Sequence, residues 1–273
     1  MPDVSVIIPT WNRAELLEKA IYTVLAQSLP PREVLVCDDG STDESQRVVT
    51  AIRDNRVRWI PGERSGRPAV PRNRGIAESK GEWLAFLDND DEWMPNKLEK
   101  QLQHADLLGC RAVCSNATRI APGKGSQGEY LSVTGTRFCF NDLLMVNHVI
   151  CSSAAVHRSV LATTGGFPED PGLKALEDYA LWLRVAAVTD FAYCPEPLVR
   201  YRDDAANSVR QECVEVWQQR TSVFSDFLAW GERADISGVY LSNVRLRQFQ
   251  DKIHKSLSVA SRSVKKMVAA LRT

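Results

Sequence analysis

Asp88, Asn89, Asp90 and Asp91 follow directly on the apolar run Trp83-Leu84-Ala85-Phe86-Leu87. A buried strand that ends this way delivers several carboxylates to one rim, where they repel one another unless a cation sits between them. Hard oxygen donors suit Mg2+ or Mn2+, and either ion can bridge a diphosphate. A solvated acidic turn would have the same composition. The apolar strand before it and Pro95, placed to open a helix after it, favour the cation. Asp38-Asp39-Gly40-Ser41 closes a second apolar run. There Asp39 can accept hydrogen bonds from a base edge or ribose, and Gly40 permits close backbone approach. A plain Asp/Gly turn capping a helix reads the same way. A receiver domain also carries an acidic pair, but after its first strand and in a much shorter chain. Arg72-Asn73-Arg74-Gly75 brings a guanidinium to the start of a helix, where it can meet a nucleobase or phosphate or stand as a surface arginine. Glu177-Asp178 opens the apolar stretch Tyr179 to Leu183. One of these acids can act as general base toward a hydroxyl, or both simply favour the helix N-terminus.

These groups need a scaffold. Val4 to Ile8, Glu33 to Cys37, Val57 to Ile60, Trp83 to Leu87 and Ala112 to Ser115 are short apolar runs, expected as strands. Between them, Arg13 to Gln27, Ala69 to Ser79 and Pro95 to Leu108 have helical spacing. A further helix follows Asp43, with Ser41 or Thr42 as cap. Apolar strands alternating with helices define an α/β chain, a Rossmann-like, doubly wound, mainly parallel sheet covered on both faces. Ligands in such sheets bind beyond the carboxyl ends of the strands. Thr10-Trp11-Asn12, Asp38-Asp39 and Asp88 to Asp91 all fall there. From Asn116 the alternation weakens. Pro122 to Gly128 reads as a flexible connection, Phe138 to Val146 as a helix and Ser153 to His157 as a strand. Ala175 to Ala187 reads as a helix and Pro197 to Tyr201 as a strand. The expected divisions are 1–115 for a nucleotide-sugar half, 116–205 for an acceptor half and 206–273 for a helical extension.

The 273 residues balance 34 Lys and Arg against 34 Asp and Glu. That neutrality excludes general nucleic-acid affinity, and no nucleic-acid partner is expected. The stretch 245–273 has eight basic residues against Asp251 alone, a local charge of +7. Its apolar face, Ile253, Leu257, Ala260, Val264, Met267, Val268 and Leu271, opposes a basic one. Packing on the domain, peripheral contact with an anionic membrane and a homodimer interface all fit this pattern. Seven scattered cysteines without a CxxC pair read as reduced core thiols, and the N-terminus lacks the order of a signal peptide. No apolar run approaches the ~20 residues of a membrane span. The expected location is cytoplasmic, at or near the inner face of the membrane.

The order and spacing of Val6 to Arg13, Asp38 to Asp43, Arg72 to Ala77, Gly81 to Asp91, Gly165-Gly166-Phe167 and Glu177 to Trp182 resemble the family 2 glycosyltransferases of GT-A fold. The resemblance covers roughly Asp3 to Tyr201. It implies a metal-dependent inverting enzyme of hexosyltransferase type. Such an enzyme moves one sugar from a nucleotide-diphospho-sugar, a UDP-sugar above all, to a glycan or lipid-linked acceptor in bacterial surface glycan assembly. By position, Pro9, Thr10, Trp11, Asn12, Asp39, Arg72, Asp88 and Asn89 would hold the nucleotide. Trp11 stands where the family usually has Tyr, Phe or His. Asp90, with Asp88, would bind Mn2+ or Mg2+. Asp178 would be the catalytic base, with Glu177 beside it. Gly165, Gly166, Phe167 and Trp182 would lie on the acceptor side. The QxxRW motif of processive synthases is missing, because Trp217-Gln218-Gln219-Arg220-Thr221 does not fit it; single-sugar transfer follows. Two alternatives remain at this level. A nucleotidyltransferase would want a glycine-rich loop after strand one, which Thr10-Trp11-Asn12-Arg13 lacks. A non-catalytic nucleotide- or sugar-binding module would not need both Asp90 and Asp178.

Overall fold

A computed structural model describes residues 2–204 and 216–253. Contacts divide the chain into two units, Met1–Cys213 and Val214–Thr273. The first opens with β1 (Val4–Thr10), α1 (Ala14–Leu25), β2 (Glu33–Asp38), α2 (Ser45–Ala51), β3 (Val57–Ile60), α3 (Ala69–Glu78) and β4 (Trp83–Phe86). It continues through β5 (Glu92–Trp93), α4 (Lys97–Leu108), β6 (Ala112–Ala121), β7 (Gly125–Glu129), β8 (Arg137–Phe138) and α5 (Phe140–Met145). Then come β9 (Ala155–His157), α6 (Arg158–Thr164), α7 (Glu177–Ala186) and β10 (Phe191–Arg202).

The ten strands of the described residues join one sheet, eight along the path β3-β2-β1-β4-β9-β6-β10-β5, with β7 paired to β6 and β8 to β10 off that path. β3, β2, β1 and β4 run parallel to one another. β9 is inserted antiparallel to both β4 and β6, which leaves β6 and β10 running with the first four. The doubly wound, mainly parallel sheet is therefore present. β1 and β2 are buried on both faces along their whole length. Continuous apolar strands are required in such a position, since helices cover each side. α1 seals one face with Leu17, Ala20, Ile21 and Val24, all fully buried. β6 crosses from residue 115 into 116, so the two halves drawn from the sequence share one sheet.

Several expectations are corrected. The glycine-rich stretch after β6 is a ribbon: β7 folds back on β6, with Gly123, Gly125 and Gly128 at positive φ. Those left-handed positions turn the chain without the steric cost other residues incur. The helix expected over Phe138 to Val146 starts two residues late, because Arg137–Phe138 pairs with β10. α2 begins at Ser45, beyond reach of a Ser41 or Thr42 cap; the Asp43 carboxylate accepts the Ser45 N–H at 3.0 Å and the Ala14 N–H at 3.2 Å. Beneath α4, Lys97 is fully buried. Its Nζ donates to Gln101 Oε1 at 2.6 Å and lies 4.0 Å from the centre of the Trp93 ring. Desolvation pulls this ammonium down to about 7.

Among the described residues the cysteines are free thiols, mostly buried, and no helix is long and apolar enough to cross a membrane. The second unit contains α8 (Val216–Arg233) and a helix over residues 238–253. On the latter, Val239, Leu246, Phe249 and Ile253 are exposed. The amphipathic pattern expected after Ile253 lies outside the described residues.

Candidate active site

The carboxyl ends of β1, β2 and β4 and the N-terminus of α7 open into one cleft of about 560 Å³. Pro9, Thr10, Trp11, Asn12, Asp39, Arg72, Asp88, Asn89, Asp90, Glu177 and Asp178 all line it. Every residue expected at the nucleotide, the metal or the base is thus brought to a common wall.

Local bonding explains how. Asn12 has φ 49, a left-handed conformation that asparagine tolerates. Its Oδ1 accepts from Thr42 N at 2.8 Å, and its N–H donates to Ser41 Oγ at 3.0 Å, which stitches the β1 exit to the β2 exit. The Asn89 amide donates to Thr10 Oγ1 at 2.9 Å and ties β4 to β1. Arg72, on α3, is buried and paired with Asp88. Burial opposes its charge, but the nearby Asp88 and the more distant Asp178 outweigh this and hold the guanidinium protonated. Its Nε has no partner.

Asp90 is held by Arg13 at 2.7 Å. Desolvation first, and the charge of Asp88 second, raise its carboxyl above the usual range. Asp91 is a structural member of the acidic run. It is buried, accepts from Ser152 Oγ and from Arg202 N, and faces away from solvent. Among the described residues no cluster of three or more His, Cys, Asp or Glu could hold a metal. Asp88 and Asp90 still offer two hard oxygen donors on one rim. That set fits Mg2+ or Mn2+ when substrate phosphates and water complete the shell, which is how Mg2+ is commonly bound.

At the other side of the cleft, Ala175 stands at φ 64, one turn before Asp178. Glu177 is 2% exposed, and its Oε1 has no partner. Desolvation raises its carboxyl. Asp178 Oδ1 accepts from Tyr179 N at 2.7 Å.

The acceptor-side expectation is revised. Gly165, Gly166, Phe167 and Trp182 do not line the cleft. Phe167 and Trp182 are buried and pack edge-on with centroids 5.7 Å apart, with Phe86 against both. Asn73 clamps the turn, accepting from Phe167 N at 2.8 Å and donating to Phe167 O at 2.8 Å. A Cβ on Gly166 would come within 2.3 Å of Asn73 Oδ1, which is why this position is glycine. The motif supports the wall from behind, and the Arg72 guanidinium sits 5.1 Å from the Phe167 ring centre.

Several lining residues escaped the sequence reading: Arg64, Arg67, Cys151, Lys174 and Arg202. Arg64 lies in an irregular segment where no periodicity marks it. Arg202 ends β10, where only the strand's length, underread from the sequence, would have placed it on the rim.

A twisted α/β sheet in this strand order, with an acidic rim at its carboxyl edge, is the architecture of the GT-A class. Residues 5–165 match the family model "Glycosyl transferase family 2", and the chain belongs to that family. It is 31% identical over 189 residues to the putative colanic acid biosynthesis glycosyl transferase WcaA of Escherichia coli K12, covering 67% of this chain and 66% of that one. It is 30% identical over 182 residues to the E. coli UDP-Glc:alpha-D-GlcNAc-diphosphoundecaprenol beta-1,3-glucosyltransferase WfgD, covering 67% and 69%. The match to the succinoglycan biosynthesis protein ExoO of Rhizobium meliloti spans only 33% of that protein, at 38% identity. In fold, the chain superposes on S. aureus TarS 1–349 in complex with UDP-GlcNAc with a TM-score of 0.72 at 18% identity, over 91% of this chain and 73% of that one. Family membership sets aside the nucleotidyltransferase.

Proposed function

We propose that the chain moves a single sugar from a UDP-sugar to a hydroxyl of a glycan or lipid-linked acceptor, with inversion, in bacterial surface glycan assembly. The observation that carries this reading is the shared cleft: Asp39, the Asp88–Asp90 pair and Asp178 face one space from three different elements. The names of WcaA and WfgD support the glycan setting, and that of WfgD the uridine donor.

Asp39 and Trp11 lie at the end suited to the base, and Arg72 holds Asp88 in place toward the ribose and diphosphate. Asp88 and Asp90 would hold Mg2+ or Mn2+, which supplies positive charge against the departing nucleoside diphosphate. Arg13 and Arg202 add fixed positive charge on the same rim. Asp178 takes the proton of the acceptor hydroxyl as its oxygen attacks the anomeric carbon from the face opposite the leaving group. Inversion follows from that approach. Glu177, buried beside Asp178 with an unpartnered Oε1, lines the same cleft and supports the start of α7.

Asp90→Ala tests the rim. The variant should bind UDP-glucose no better with Mn2+ than without it, whereas thermal shift of the parent chain should rise with both together. An unchanged Mn2+ effect would remove Asp90 from the proposal.

A second observation concerns location. Val239, Leu246, Phe249 and Ile253 are exposed along residues 238–253. Large apolar side chains left in water at helical spacing favour peripheral membrane contact or self-association of this unit. Leu246→Glu combined with Phe249→Glu should abolish sedimentation with vesicles containing anionic lipid; if the parent chain does not sediment, the membrane reading is wrong.

A further inference from the structure

The base end of the cleft has a feature that the family assignment does not explain. Asp39 is buried, and both of its oxygens are fully used. Oδ1 accepts from Ser65 N at 2.9 Å and Ser65 Oγ at 2.6 Å; Oδ2 accepts from Gly66 N at 3.0 Å and from the Arg64 guanidinium. A carboxylate has about four lone-pair sites, so none is left for a nucleobase. One donor must leave before a base can be read there.

Three of the four cannot leave easily. Ser65 and Gly66 belong to a tight turn closed by Arg67 N donating to Ser65 Oγ at 3.2 Å, and by Ser65 Oγ contacting Arg67 O at 3.1 Å. The backbone of Arg64 is also fixed. A Cβ on Gly40 would approach Arg64 N to 2.8 Å, so the two loops touch with no side chain between them. The exception is the arm of Arg64 beyond its Cβ, whose side chain is 43% exposed. Its guanidinium lies 3.7 Å from the centre of the half-exposed Trp11 ring. A flat, hydrogen-bonding cation therefore fills the gap between an aromatic shelf and a carboxylate.

We propose that Arg64 is a nucleobase-specificity residue, whose guanidinium holds the base slot until a base carrying a lactam N–H replaces it. This rests on the nucleotide-sugar reading above. The shape of the stand-in defines the ligand. The incoming group must be planar to stack on Trp11, and it must donate an N–H to Asp39 Oδ2. Uracil and guanine carry such an N–H beside a carbonyl. Cytosine and adenine instead turn a ring nitrogen lone pair toward the carboxylate, which is repulsive. The displaced guanidinium, still anchored at its Cβ, then donates to the neighbouring carbonyl. Arg64 thus rewards the same bases that Asp39 accepts.

Calorimetric titration of the full chain with UDP, GDP, CDP and ADP in Mg2+ tests this without any turnover. The parent chain should bind UDP or GDP about tenfold or more tightly than CDP and ADP. Arg64→Ala should shrink that ratio about tenfold, since it removes a charged hydrogen bond to the lactam carbonyl. Arg64→Gln, which keeps a neutral donor on a shorter arm, should fall between. An unchanged ratio in Arg64→Ala overturns the proposal. So does an equal tightening for all four nucleotides, which would make Arg64 a plug without selectivity. If the parent chain binds none of them, the nucleotide-sugar reading fails as well; binding with an unmoved ratio defeats only the role of Arg64.

Discussion

Asp178→Asn should lower sugar transfer by about a thousandfold while leaving nucleotide-sugar affinity within about threefold of the parent. The amide has the volume of the carboxylate and can still accept from Tyr179 N, so α7 should start as before. What it cannot do is take a proton from the attacking hydroxyl. The loss should therefore appear in kcat. In the proposed reading donor affinity depends on Asp39, Arg72 and the Asp88–Asp90 rim, which line the cleft from other elements. Single-turnover transfer and calorimetric titration of the same preparation give the two numbers. A parallel fall in both would place Asp178 in donor binding and leave the reaction without its base.

Arg72→Ala is the second large expected effect, and it falls on stability as well as on binding. The guanidinium is almost fully enclosed, paired with Asp88 and stacked near Phe167. Removing one partner of a buried pair strands the other charge, at a cost of about 3–5 kcal/mol. Here Asp88 is partly open to solvent, which places the expectation at the lower end of that range. Urea unfolding should show it as a lower midpoint with an unchanged slope. UDP-sugar affinity should fall too, because Asp88 loses its anchor. Arg72→Lys should not restore either, since an ammonium lacks the planar fork. A loss below about 1 kcal/mol would mean the pair is no more than a surface contact.

How far the sequence reached depended on which physical signal each element left. The sequence places β1, β2 and β4 nearly at their observed limits, because strands covered on both faces must be apolar throughout, and the β-branched and aromatic run Val57 to Ile60 marks the edge strand β3. Thr10 to Asn12, Asp39 and Asp88 to Asp90 reach the cleft for that reason, since a strand end fixes where the next residues point, whereas Arg72 and Asp178 come from helices. β5 and β8 are two residues each and leave no periodicity to detect. β10 was read short because Cys194 to Pro197 carries a register shift that breaks its alternation. The Gly165 turn is legible as a turn, but its surroundings are set by Asn73, which is distant in sequence. Arg64 was invisible for a related reason: its meaning comes from Trp11 and Asp39, contributed by the exits of two other strands.

Ala175 has a wider consequence. A residue with a Cβ held at φ 64 gives up about 1 kcal/mol of folding free energy relative to a relaxed backbone. Glycine would recover much of it, yet would let the segment entering α7 sample many more directions. The chain keeps alanine where comfort would favour glycine. A search for thermostable variants would be drawn to this position early, and what it gained in melting temperature it would risk losing in the aim of Asp178, the proposed proton acceptor three residues on.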